Sequence, residues 1–257
     1  MAAGIAAAGV VWIASLIVNV LAPGFDPVRR SISALANTPA GGLMTAAFVA
    51  TGLLELAFAV GLPRVLGTTR AQRGVVAVTL GFLGLLTLLF AVFPTDPPGA
   101  PRSPSGTIHL LAALAYALAL PACGLVFAVL FARDPRWARL RLPTLVIALA
   151  QVLLFPVLMA AVTGGLRPYL GLVERVSFAI PSVWQVGVAL FALRLLPSES
   201  LQPAPQLEQR EQHDRRDDHQ SERERVAEVP AELRDVGEVH AVHRPDERRR
   251  EQDRRPG

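Results

Sequence analysis

Six apolar stretches, each about as long as a bilayer is thick, constrain this chain more than any other feature. They run over residues 4–22, 40–62, 73–93, 107–131, 141–163 and 175–196. A helix rises 1.5 Å per residue, so roughly 20 apolar residues cross the hydrocarbon core. Each stretch is rich in Ala, Leu, Val and Phe on all sides, which excludes surface amphipathic helices. A soluble six-helix bundle of this composition would lack the polar surface to cover itself. The expected fold class is therefore all-α, a polytopic transmembrane helix bundle of six spans over residues 1–200. The first stretch has no basic leader and exceeds the ~7–15 apolar residues of a cleaved signal, so it reads as a retained span.

Charge separates this part from the rest. Up to residue 200 there are 13 Arg against 6 Asp and Glu, and from 201 onward 12 Arg against 15. Residues 201–257 show neither a helical nor an alternating apolar pattern. Such a composition buries too little surface to offset its ordering entropy, so a disordered charged cytoplasmic tail is expected there. His213, His219, His240 and His243 fall in that tail and read as solvated. The net charge of +4 is spread over short loops and this mixed tail, which is no nucleic-acid footprint. Membrane lipids are the implied partners, and nothing identifies a protein partner.

Arg in the short loops sets the orientation. Arg64, Arg70, Arg73, Arg133, Arg136, Arg139 and Arg141 lie on one side, against Arg29, Arg30, Arg102, Arg167 and Arg175 on the other. The richer side reads as cytoplasmic. Both termini are then cytoplasmic, in a multi-pass protein of the cell membrane.

Successive spans reverse direction, so polar residues at alternate span ends share one face. Asp26, Ser31 and Ser33 precede the second span, and Asp96 follows the third. His109 sits in the first turn of the fourth, and Glu174 and Arg175 open the sixth. His109 is the only imidazole of the apolar part, and its ordinary pKa near 6.5 suits proton transfer. Asp96 or Glu174 can orient it, and Arg175 can hold an anionic headgroup or a developing negative charge. Asp96, His109, Glu174 and Arg175 are thus the candidate polar or catalytic site, with Ser31 and Ser33 as binding residues. The plainer reading stays open: acids and Ser before helices are ordinary caps, and loop charges meet water. A zinc site commonly takes several His, and Cys123 is the one cysteine, so no metal or cofactor is expected.

Glu55 differs in lying inside a span, about 10 Å deep at 1.5 Å per residue. An acid there should face the bundle or a cavity. Gln151 and Gln185 lie at comparable depths, so an intramembrane Glu55–Gln151–Gln185 cluster is expected, either as a proton or ion relay or as polar glue between helices. Pro121, Pro156 and Pro181 interrupt the last three spans, and each frees a backbone carbonyl.

Several short motifs carry a resemblance. Ser31-Ile32-Ser33-Ala34-Leu35 is followed by a small-residue approach to the second span and Phe48. Phe93-Pro94-Thr95-Asp96, then His109, and Gly171-Leu172-Val173-Glu174-Arg175 complete the set. Together, over about residues 8–196, they resemble domain-of-unknown-function family 998. That resemblance implies a six-span bacterial membrane protein and supplies no reaction. More remotely, the Ser-Ile-Ser loop and six-span plan are similar to the FRAG/DRAM/Sfk-type membrane proteins, which implies an association with lipids.

Three functions remain open. The leading one is an integral membrane protein that binds or handles a lipid or other amphiphile at its non-cytoplasmic face. The second is a membrane-embedded hydrolase or transferase using His109 as acid/base. The third is a structural or accessory membrane subunit.

Overall fold

A computed structural model describes residues 1–67 and 69–196. The tail expected over 201–257 lies outside the described residues. Six long helices follow one another: α1 Ala2–Val20, α2 Gly41–Gly61, α3 Arg70–Val92, α4 Pro104–Arg133, α5 Ala138–Thr163 and α6 Leu170–Leu195. Single 3-10 turns at Ser33–Asn37, Leu62–Arg64, Pro135–Trp137 and Arg167–Tyr169 shape the connections. Among the described residues there is no strand. All six helices are long and apolar enough to cross a membrane, which makes this an all-α, multi-pass membrane protein.

Helices α3 and α4 start ahead of their apolar runs where polar caps set their first turns. Before α3, the Thr69 hydroxyl accepts from the Gln72 amide at 3.2 Å while the Gln72 side chain accepts from the Thr69 amide at 3.2 Å. This reciprocal box satisfies two otherwise orphaned donors. Before α4, the Ser103 hydroxyl accepts from the Gly106 amide at 2.9 Å, with Pro104 in the first turn, where its missing N–H costs nothing. Pro121, Pro156 and Pro181 sit inside continuous helices, as does Pro143 near the start of α5.

Consecutive helices pack side by side, and α1 closes against α6, so the bundle is a ring. Lipid is as apolar as a Leu side chain, so helices associate in it by close fit and polar bonds. The α2–α3 crossing shows the first device. A methyl on Gly52 would come within 2.9 Å of the Gly84 carbonyl, and one on Gly84 within 3.1 Å of the Gly52 carbonyl. Only glycine lets these backbones meet. Outward-facing Val78, Leu153 and Val183 are more than 70% exposed, as side chains solvated by lipid must be.

The bundle has two ends. The foot holds Met1 and the α2–α3 and α4–α5 connections, and is filled by Phe58, Leu62, Leu66, Phe127, Phe131, Trp137 and Val188. The rim is formed by residues 21–40, 93–103 and 164–169. Its apolar cluster comes from α1 to α4 and the first loop, including Val18, Phe25, Leu35, Met44, Phe48 and Phe90. Buried residues make up 39% of the spans formed by α2, α3 and α4 but 22% of those containing α5 and α6. The last two helices therefore turn more of their surface outward to lipid.

Candidate functional site

Residues 21–40 form a strap across the rim, held by α6. Asp26 starts it by accepting from the amides of Val28 and Arg29 at 2.9 and 3.3 Å and pairing with the Arg29 side chain at 3.3 Å. The strap then meets the first turns of α6. Leu172 donates its amide to the Val28 carbonyl at 3.0 Å. Arg175 donates Nη1 to the carbonyls of Pro27, Arg30 and Gly171 at 2.6, 2.9 and 3.0 Å. The Glu174 carboxyl accepts from the Ile32 amide at 2.8 Å. A Cβ at Gly171 would strike the carbonyl oxygens of Pro27 and Arg30, so glycine is what lets the strap sit down. On its far side, Asn37 donates to the Thr95 carbonyl at 2.9 Å, tying the strap to the α3–α4 loop.

That loop has its own latch. The Asp96 carboxyl accepts from the Ser103 hydroxyl at 2.6 Å and the Ser103 amide at 3.1 Å. These bonds hold its carboxyl below the usual aspartate range. His109 is buried, with Nδ1 at 2.8 Å from the Phe93 carbonyl. A carbonyl can only accept, so Nδ1 carries a hydrogen. The imidazole thereby satisfies the carbonyl that caps α3.

Beneath the strap lies a cavity of about 100 Å³, well above the roughly 10–15 Å³ that one water needs. Ile32, Ser33 and Glu174 line its rim end, while all six helices contribute to its walls. Glu55, Thr51, Thr87, Tyr116, Gln151 and Gln185 supply polar groups deeper in. Glu55 Oε2 accepts from the Thr87 hydroxyl at 2.7 Å, which bonds α2 to α3. Gln151 donates to the Ser177 carbonyl at 2.8 Å, and Gln185 to the Gly4 carbonyl at 2.9 Å. An aromatic file crosses the same space: Phe48, Phe90, Tyr116 and Phe178, with successive centroids 5.9, 5.8 and 5.5 Å apart.

The residues singled out from the sequence thus fall into three places. Ser31, Ser33, Glu174 and Arg175 meet at the strap; the Ser31 hydroxyl accepts from the Ala34 amide at 3.1 Å and turns the chain. Asp96 and His109 meet at the α3–α4 corner. His109 packs on Phe90 at 5.2 Å, and Phe90, not His109, lines the cavity. Glu55, Gln151 and Gln185 share the cavity wall, each bonded to its own partner rather than to one another. Among the described residues no three His, Cys, Asp or Glu are grouped to hold a metal ion.

Thr87, Tyr116 and Ser182 escaped the sequence reading, and Trp12, lying within a span, decided nothing there. Trp12 donates its indole N–H to the Ser182 hydroxyl at 3.1 Å across α1 and α6, and both line the cavity. Thr51 and Glu55 offered a usable signal, since a separation of four puts both on one face of α2.

Comparison with curated proteins and with solved structures gives no match. The family described as "Protein of unknown function (DUF998)" matches residues 5–191, from α1 to the last turns of α6. The match takes in the strap, the latch of the α3–α4 loop and the cavity, and the chain belongs to this DUF998 family of membrane proteins.

Proposed function

We propose that this is a binding protein that takes a lipid or other amphiphile into the bundle from the rim. The observation that carries this reading is the mixed lining of the cavity: aromatic and aliphatic walls, with polar groups both at the rim and at mid-depth. An amphiphile asks for that combination, an apolar body in van der Waals contact and a few convergent polar partners. Small-residue packing and a ring of helices do not by themselves require a polar interior in lipid, where each uncompensated polar group is costly. The Arg distribution supports a rim on the non-cytoplasmic side of the cell membrane, the side from which the ligand enters in this reading. Within the site, Glu174 and Ser33 act at the mouth, while Arg175 acts through the strap it holds. Asp96 and His109 fix the neighbouring corner.

Native mass spectrometry of the gently solubilised chain tests this. Ala113 lines the cavity, and Ala113→Phe fills part of it. The unsubstituted protein retains an amphiphile through desolvation, and the filled variant loses most of it. Identical adducts on both proteins would place any retained lipid on the outer surface and end the reading. Binding rather than hydrolysis is favoured because His109 stands behind Phe90, which lines the cavity in its place.

A further inference from the structure

The cavity lining carries an electrostatic signature that the binding reading leaves unused. Among the described residues, its two ionisable carboxyls, Glu55 and Glu174, are joined by no Arg, Lys or His side chain on the wall. Glu174 has a cation beside it in Arg175. Glu55 has none: its interactions among the described residues are with Thr87 and, at longer range, Tyr116. It is 9% exposed, and only Oε2 is hydrogen-bonded within the protein. The other carboxyl oxygen is left to the cavity. The same cavity is lined by Trp12, Phe48, Phe90, Tyr116, Phe178 and Trp184.

An acid in the membrane interior needs a proton or a positive partner. Aromatic faces add attraction for an organic ammonium, strongest where water is excluded. A bare alkali ion would ask instead for several oxygen ligands. From this juxtaposition we infer that the cavity selects cationic amphiphiles, an amine or quaternary ammonium group on an apolar chain. The ammonium sits between the Glu55 carboxylate and the aromatic file, and the chain follows the apolar wall. This inference rests on the binding reading and narrows it to one ligand class. The amine can belong to a lipid headgroup or to a free single-chain cation, and the two sources share this chemistry.

The test uses the full chain in nanodiscs of digalactosyldiacylglycerol, a lipid with neither charge nor amine, titrated with dodecyltrimethylammonium, dodecyl sulfate and dodecanol. Trp12 and Trp184 line the cavity, so tryptophan fluorescence reports occupancy. The cation should bind tightest of the three. Glu55→Gln, which keeps the shape and removes the charge, should weaken it by about tenfold or more, one carboxylate–ammonium contact's worth. Glu55→Asp should retain most of the affinity. Equal affinities for the three probes, or a Glu55→Gln variant that binds the cation as well as the parent, overturns the inference and leaves amphiphile binding standing. Should Glu55→Gln not fold, the ranking of the three probes on the unsubstituted protein decides alone. Signals that are the same in Ala113→Phe for every probe would sink the binding reading as well. Replacing half the lipid with phosphatidylethanolamine separates the sources. A weaker apparent affinity identifies the headgroup amine as the occupant and upholds the inference; an unchanged, Glu55-dependent affinity upholds it with a free cation as ligand.

Discussion

The foot and the rim of this bundle are closed by different physics. At the foot, Trp137 is fully buried and stacks on Phe131 at 5.2 Å with the rings 3° from parallel. Phe58, Leu62 and Phe127 fill the rest. Its strongest polar contact is local: Asp134 pairs with Arg136, two residues on, at 2.7 Å. At the rim, polar bonds join residues 142 to 148 apart, with Glu174 and Arg175 gripping Ile32, Pro27 and Arg30. The contrast extends along α6. Trp12–Ser182, Trp184–Thr144, Gln151–Ser177 and Gln185–Gly4 all hold this helix by single hydrogen bonds. An apolar plug gains by excluding everything. A seam of separate polar bonds can part and re-form with little loss, since each has a net worth of only about 1 kcal/mol. The rim, above the cavity, is thus the end held by bonds that can be removed one at a time.

Trp137→Ala should give the largest effect on that comparison, about 3–5 kcal/mol, as expected for truncating a fully buried aromatic residue. It should lower the cooperative unfolding midpoint in detergent and expose foot and rim amides together. Arg175→Ala comes next. It orphans carbonyls that now receive a charged donor, at about 1.5–3 kcal/mol, and its effect should be confined. Hydrogen exchange should rise across residues 26–36 while residues 58–66 stay protected. If Arg175→Ala instead loosens the foot as much as the rim, the two ends are one cooperative unit and the contrast is lost. Smaller again is His109→Ala, worth about 1–2 kcal/mol through the lost bond to Phe93. It should lower the midpoint while leaving amphiphile retention intact; lost retention in a folded His109→Ala protein would move the imidazole into the site.

The two ends were not equally legible in the sequence. Crossing a bilayer is a demand on about 20 consecutive residues, so α1 to α6 are written locally and their number can be read directly. The polar ends of α3 and α4 needed knowledge of caps rather than hydropathy, because Thr69 and Ser103 start these helices outside the apolar runs. The partners at the site were hidden for another reason. Read from sequence as opening the sixth span, Glu174 looks like an acid suited to the helix dipole, but α6 begins at Leu170 and carries it past the first turn. Nothing near it in sequence points to Ile32. That pairing exists only because α1 closes on α6. Glu55 announced itself as an intramembrane acid, but Thr87 is one hydroxyl in a run of Leu and Phe, and its selection depends on the register fixed at Gly52 and Gly84. Arg175 shows the limit most clearly. Its charge suggested a ligand, whereas Nη1 is taken up by three carbonyls of the protein itself.

The smallest effect concerns the α3–α4 corner, where the rim's polar construction makes it answer to pH as the foot should not. Hydrogen bonds from the Ser103 side chain and amide favour the charged form of Asp96, with smaller contributions from Arg102 and His109, and its pKa lies below the ordinary aspartate value. A carboxyl whose pKa is depressed on folding lends stability that is complete above its unfolded pKa and disappears as pH falls through the folded one. Protection of the Ser103 and Gly106 amides, corrected for intrinsic exchange, should therefore hold steady from neutral pH down to about 4, near the ordinary aspartate pKa, and decline below it. Asp96 is half-exposed in a loop, so the change belongs to the corner alone and leaves the unfolding midpoint almost unmoved. Asp96→Asn keeps an acceptor for Ser103 but has no proton to gain, so its profile should be flat over the same range. A decline of equal size in the Asn variant would assign the acid response to another group and remove Asp96 as the corner's anchor.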